Sequence, residues 1–237
     1  MTNYLLHLVV MIGIYAILAY AMNLLTGFGG RLIFCPAAFY GPGAHKHTLL
    51  QIGGEGSRLA AEVMISAHLP FPAALLMAGA ISGLFALLIG WVSLRFRGDF
   101  FVFATLGFQM IVFVVLYNWV ELSRGAFGIY GIPRPEILGW RVNDAWEYTL
   151  LVAGVNAVVL PLLFLLYRSP FGLSLKALRE NERAAESLGI SAFHQHLTAF
   201  VIAGACAGVA GGLYASYVTY IDPTSFTLRE SIFIVSL

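Results

Sequence analysis

The sequence predicts an all-α, polytopic transmembrane helical bundle with a candidate re-entrant segment, and three observations carry that prediction. Hydrophobic residues make up 59% of the 237 and charged ones only 11%, against roughly a quarter charged in soluble domains. The apolar residues gather into runs of about 20, the length an α-helix needs to cross a bilayer. Those runs lack the alternation of barrel strands, and only helices and closed barrels satisfy every backbone polar group in lipid. Residues 1–237 read as a single membrane domain.

The first span covers residues 4–25. No basic region or small-residue cleavage site precedes it, so it reads as a retained helix and not a signal peptide. Asn23 is an isolated polar point on it. Such a residue marks either a translocation route or an interhelical hydrogen bond.

Residues 26–44 are rich in Gly and Pro where an ordinary span would be Leu and Val. Irregular backbone at membrane depth is tolerated where it is buried in protein or lines a cavity. Residues 31–68 are therefore expected to form a re-entrant segment or short span. Gly27, Gly29, Gly30, Phe39, Gly41 and Gly43 join Asn23 as candidates for the translocation path. His45 and His47 flank Lys46 without a third ligand nearby, so they read as a solvated loop and no metal site is assigned.

Residues 69–94 form the next span, with Ala78, Ser82, Ala86 and Gly90 at four-residue intervals. A charged turn, R-F-R-G-D at 95–99, leads into a span at 100–122. The loop at 123–135 places Gly125, Gly128 and Gly131 at period three. It has neither a Walker-type ending nor the dinucleotide pattern, so phosphate binding is not indicated. Residues 148–167 span again.

The most polar stretch follows, at 168–196. Of the chain's 13 basic and 12 acidic residues, seven fall here: Arg168, Lys176, Arg179, Glu180, Glu182, Arg183 and Glu186. Ser174 is expected to cap a helix that a left-handed Gly189 ends. Lys176 can pair with Glu180, and Arg183 with Glu186. Leu175, Leu178, Ala185 and Leu188 form one apolar stripe. Such a helix is either a connector lying on its own bundle or a docking element for a soluble partner.

The span at 197–221 carries Gly204, Gly208 and Gly212 four residues apart. That small face allows close helix packing, within the chain or between subunits. The last apolar run, 226–237, is half a span long, so the chain is expected to be truncated there.

The rule that Lys and Arg favour cytoplasmic loops places 95–99 and 168–196 inside. Arg31, Lys46, Arg58, Arg124, Arg134, Arg141 and Arg229 are assigned to the other face. A net charge of +1 gives no reason to expect nucleic acid. Cys35 and Cys206 form no zinc or disulfide pattern. An intramembrane enzyme would need a convergent catalytic set, and His194 and His196 have no carboxylate or cysteine partner in sequence.

The segment F-G-L-S-L-K-A-L-R-E-N-E-R-A-A-E-S-L-G-I, residues 171–190, closely resembles the cytoplasmic loop of the membrane permeases of branched-chain amino-acid ABC importers. The resemblance continues, in order, through Y15-A-I-L-A-Y-A-M-N-L-L-T-G-F-G-G, A37-A-F-Y-G-P-G-A, S93-L-R-F-R-G-D-F-F, G125-A-F-G-I-Y-G-I-P and A210-G-G-L-Y-A-S-Y, followed by Y220-I-D-P-T-S-F.

The resemblance implies that the 168–196 loop holds a short cytoplasmic coupling helix, with Leu175, Leu178, Arg179, Glu180, Arg183, Ala184, Ala185, Leu188 and Gly189 as its coupling residues. Leu178, Ala185 and Leu188 would enter a groove on the ATPase, with Arg179, Glu180 and Arg183 at its rim. Implied partners are a second permease subunit, two cytoplasmic ATP-binding subunits carrying ATP and Mg, an extracytoplasmic substrate-binding protein and membrane lipid. The chain itself would be a multi-pass inner (plasma) membrane transport subunit, with no enzyme activity and no cofactor of its own. Expected cargo is a branched-chain or other neutral amino acid. An importer for urea or short amides shares that architecture, and an ATP-independent channel or secondary transporter is the reading in which the charged loop is only a loop.

Overall fold

The computed structural model describes residues 2–31, 33, 35–52, 71–96, 98–118, 129–130, 134–137, 140–142, 144–221, 231–232 and 234. Helix α1 (Thr2–Asn23) runs directly into a π-helical turn (Leu24–Phe28). After a connector whose described residues, 29–31, 33 and 35, are irregular come α2 (Pro36–Ile52), α3 (Phe71–Ser93) and α4 (Asp99–Asn118). Three two-residue strands follow: β1 (Ile129–Tyr130), β2 (Glu136–Ile137) and β3 (Trp140–Arg141). Helices α5 (Ala145–Arg168), α6 (Pro170–Glu180), α7 (Glu182–Ser187) and α8 (Ala192–Val218), then strand β4 (Tyr220–Ile221), complete the order.

Among the described residues, five helical segments are long and apolar enough to cross a membrane: Tyr4–Phe28, α3, α4, α5 and α8. The chain is an all-α, multi-pass membrane bundle. Its strands are short ties outside the helices; β1 pairs antiparallel with β4, and β2 with β3.

Helix α8 is the central element, packed most extensively on α3 and α2, while α1 lies along α5. Small residues set this arrangement. A Cβ on Gly204 would collide with Ala86, and one on Gly208 with Ser82. Gly212 is buried as well. The Gly204, Gly208 and Gly212 face is therefore used within the chain, resolving the choice between internal and intersubunit packing.

Helix α2 occupies a slot between α8 and α3, and every described residue from Cys35 to Ala44 is buried. Phe39 meets Phe200 edge to face, with ring centroids 5.7 Å apart. Gly43 lies on Gly208, where an added Cβ would come within 2.5 Å of its Cα. Pro42 sits inside α2, and the hydroxyl of Ser82 donates to the carbonyl of Phe39 at 2.6 Å. That bond ties α2 to α3 inside the bundle.

The start of α2 lies part-way into the bundle. Its Ala37 amide donates to the Ser231 hydroxyl at 3.1 Å, and that hydroxyl donates to Gln109 Oε1, midway along α4, at 3.2 Å. From Pro36 to Ile52 this Gly- and Pro-containing stretch is therefore a narrow helix; residues 53–70, the rest of the expected re-entrant segment or short span, lie outside the described residues.

Two contacts orient α1. His7 meets the Tyr217 hydroxyl at 2.7 Å, so α1 begins at the end of the bundle where α8 finishes. Arg31 pairs with Glu182 at 3.7 Å, so the connector starts at the opposite, charged end. Arg31 therefore shares an end with the 168–191 stretch, correcting its assignment to the other face.

Helix α8 begins at Ala192, after an extended Ser191, and ends at Val218 where Thr219 takes a left-handed conformation with φ 59°. Residues 192–196 consequently belong to the long helix and not to the charged loop, and residues 220–221 are strand.

Candidate functional site: the junction of the charged elbow and the π-turn

Helix α5 stops at Ser169, whose extended backbone is followed by Pro170 at the first position of α6. Proline suits that position because the amide there has no helical partner to lose. Ser174 therefore sits inside the helix and caps nothing, its hydroxyl donating to Pro170 O at 2.8 Å. The expected single helix is also broken at Asn181, which is extended and accepts from the Ala184 amide at 3.0 Å as the N-cap of α7. The result is a two-helix elbow. Gly189, left-handed at φ +85°, turns the chain into α8.

The apolar stripe divides between inside and outside. Leu175 is part of the main core, while Leu178 and Ala185 pack in a small cluster with Ala192. These three side chains are consumed by the chain's own bundle and cannot enter a partner's groove. Leu188 is 81% exposed and Leu173 60% exposed. Glu180, Arg183, Ala184 and Gly189 share that outer surface.

The inner side of the elbow grips the π-turn and connector. Arg179 donates through Nη1 to the Gly27 carbonyl. Gly30 has a left-handed φ of +65°, and a Cβ there would lie 2.7 Å from Arg179 Cγ. Lys176 has left its expected partner Glu180 for the face of Phe28, 4.8 Å from the centroid. Phe28 in turn stacks on Tyr167 at 4.5 Å.

One turn further on, Glu182 holds Arg31, whose guanidinium also lies 5.4 Å above Phe101 at the start of α4. His196, buried at the base of α8, faces two carbonyls: Nδ1 is 2.8 Å from Ala192 O and Nε2 is 3.1 Å from Gly29 O. A neutral imidazole donates to one of them and an imidazolium to both. Around these groups lies a cavity of about 340 Å³ that also reaches Asp99 and Val102.

The π-turn is built for this place. Gly29 N donates to Leu24 O at 3.1 Å and Arg31 N to Leu25 O at 3.2 Å, wider than α-helical spacing. A Cβ on Gly27 would collide with Asn23 Oδ1. Single π-turns inside helices are common at functional sites.

Of the path candidates, Gly29 and Gly30 line this cavity, with Gly27 in the π-turn and Asn23 at the helix end beside it. Phe39, Gly41 and Gly43 do not; they are buried in the α2 slot and take no part in lining this cavity. The reason is steric: Gly43 lets the Gly208 backbone of α8 approach, and the Phe39 ring fills the slot against Phe200. Sequence reading passed over Arg31, Glu182, Lys176 and His196 as partners of the connector. Nothing in local spacing could reveal them, since Arg31 and Glu182 lie on different elements far apart in the chain. Among the described residues no group of three His, Cys, Asp or Glu side chains could hold a metal ion.

The fold is that of a multi-pass helical membrane protein in which, among the described residues, a charged elbow clasps the π-turn that ends α1. The chain belongs to the family described as the permease component of the branched-chain amino acid transport system, which it matches over residues 4–237. It is 33% identical over 250 residues to the high-affinity branched-chain amino acid transport permease LivM of Salmonella typhimurium, covering 94% of this chain and 55% of that protein. LivM of Escherichia coli matches with the same identity and coverage. The guanosine ABC transporter permease NupQ of Bacillus subtilis is 27% identical over 171 residues, covering 68% of this chain and 53% of that protein. The chain thus spans about half the length of the curated relatives it matches. No solved structure gives a significant match.

Proposed function

We propose that this chain is a membrane-spanning permease subunit of an ATP-driven importer for branched-chain or other neutral amino acids. It pairs with a second permease subunit in the inner membrane and receives cargo from an extracytoplasmic binding protein. Two cytoplasmic ATPases bind ATP and Mg; this chain carries no G-x-x-x-x-G-K-[ST] sequence and contributes none of the hydrolytic machinery. The charged end faces the cytoplasm, an orientation favoured further now that Arg31 adds to its positive charge.

The observation that carries this reading is the clasp of the elbow on the π-turn through Arg179 and Gly27. Coupling requires an element that contacts a partner and a membrane segment at once, with contacts that differ between states. The elbow has that form. Its outer surface, Leu173, Ala184 and Leu188, is free for an ATPase groove, while its inner surface holds the end of α1.

Reconstitution of the full-length protein with its ATPases and binding protein tests this. Leu188→Glu and Ala184→Glu, both on the outer surface, are expected to abolish stimulated ATP hydrolysis while the permease remains inserted. Unchanged stimulation in both would sink the docking assignment. ATP-driven uptake of leucine that urea does not compete for supports amino-acid cargo, and the reverse pattern assigns the chain to a urea or short-amide importer. Uptake that needs no ATP assigns it to a channel or secondary transporter.

A further inference from the structure

Helices α3 and α5 finish on the same arrangement of side chains. At the end of α5 the Arg168 guanidinium lies over the ring of Phe164, 4.4 Å from its centroid, and just past α3 the Arg95 guanidinium lies over Trp91 at 4.6 Å. In each pair the ring precedes the cation by four residues, the spacing that places two side chains on one helix face. Both pairs stand at the elbow end of the bundle. Arg168 leads into the elbow through Ser169, and Gly90, next to Trp91, lies against Leu197 and Phe200 in the first turns of α8.

The two rings face outward, Trp91 48% and Phe164 49% exposed. Behind them the exposed surface is apolar, with Leu84 and Leu88 on α3 and Val158 and Leu162 on α5. In a membrane bundle that surface meets acyl chains, and aromatic rings at the ends of spans sit at headgroup level. We infer that Arg95 with Trp91, and Arg168 with Phe164, form two seats for the phosphate of an anionic phospholipid.

The geometry of the pairs suits that ligand. A ring attracts a guanidinium through its π face and takes up none of the five N–H donors. Among the described residues neither Arg95 nor Arg168 has a carboxylate within ion-pair distance or a side-chain hydrogen bond. The donors are thus open to two phosphate oxygens at once, a match of shape as well as charge. A zwitterionic headgroup would bring its own ammonium against the guanidinium, whereas an anionic one does not. The ring also holds each arginine at the boundary where its apolar stem ends and its charged head meets the polar layer. At Arg168 a bound phosphate would set the depth at which the elbow leaves the bundle.

The seats go beyond the proposed importer function and do not depend on its cargo. Native mass spectrometry of the full-length protein, purified in its assembly and placed in nanodiscs of mixed phosphatidylglycerol and phosphatidylcholine, tests them. The wild type is expected to retain phosphatidylglycerol in preference to phosphatidylcholine. Arg95→Gln and Arg168→Gln each remove one surface cation and should each weaken phosphatidylglycerol binding at their own seat roughly fivefold. The double variant should lose the preference while remaining folded and inserted. Arg183→Gln removes an exposed elbow charge outside both pairs and should retain lipid as the wild type does. Wild-type preference in the double variant overturns the seats, and so does an equal loss in Arg183→Gln, which would mark a general charge effect. Loss of another protein subunit from the double variant with lipid retention unchanged also overturns them, because the rings would then cover a protein contact.

Discussion

Arg179 in the charged elbow donates to the carbonyl of Gly27, 152 residues earlier, in the π-turn that ends α1. The bond joins the charged elbow to the end of a candidate membrane span. A carbonyl in a π-turn is only loosely committed to its own helix, so an external donor can hold it without breaking a regular ladder.

Arg179→Ala is expected to uncouple transport from hydrolysis. A hydrogen bond from a charged donor contributes about 1.5–3 kcal/mol, and this donor is exposed, which argues for the lower half of that range. Leucine uptake per ATP should fall by roughly ten- to fortyfold, with protein abundance unchanged. Uptake and hydrolysis measured on the same proteoliposomes would reveal equal losses in both if Arg179 serves only to dock the ATPase.

Arg31 and Glu182 are expected to behave differently. Their separation of 3.7 Å and partial exposure, 18% and 36%, make this a surface-type pair, worth about 0–1 kcal/mol. Glu182→Gln should therefore change thermal stability little. A charge exchange, Arg31→Glu with Glu182→Arg, should recover uptake that either single change loses, and failure of the exchange would mean that the pair is incidental.

Gly43→Ala should destabilise the bundle by about 1–3 kcal/mol, the usual cost of overpacking, because the new Cβ would press on the Gly208 backbone. Gly107→Ala and Gly154→Ala provide the contrast. Nothing lies within 4 Å of a Cβ at either position, and alanine is the better helix former by about 1 kcal/mol. Melting of the detergent-solubilised protein should drop for the first and hold or rise for the other two.

Leu175 and Leu188 separate stability from docking. Leu175 is fully buried and Leu188 81% exposed. Leu175→Ala should cost about 2–5 kcal/mol of stability. Leu188→Ala should leave the melting temperature alone and lower stimulated ATP hydrolysis. An equal effect of both on melting would contradict the inside and outside division of the stripe.

The spans were legible in the sequence because length and hydropathy carry them, and the small faces at 78–90 and 204–212 announced close packing. That these two faces meet each other and α2 was not legible. Gly41, Pro42 and Gly43 read locally as helix breakers, yet a slot walled by Gly208 and Gly211 rewards the same residues for lacking bulk. The charged stretch was visible as an anomaly, but periodicity alone does not tell an apolar stripe that faces home from one that faces a partner. Asn181 decides the matter by capping a second helix, which folds Ala185 back onto Ala192. Arg31 could not be placed on its side of the bundle until the path of the connector was known.

The enclosure of α2 also bears on how the protein enters a membrane. At 17 residues α2 is shorter than the five candidate spans among the described residues and carries His45, Lys46 and His47, and its buried residues face protein where lipid would otherwise be. A segment of that kind has little reason to leave the translocation channel sideways on its own. Its seat is made by α3 and above all by α8, which are synthesised later, so α2 must wait at the channel or the membrane surface until they arrive. Integration of this protein is then not a sequence of independent insertions in chain order, because α2 gains its seat only once α8 has been made.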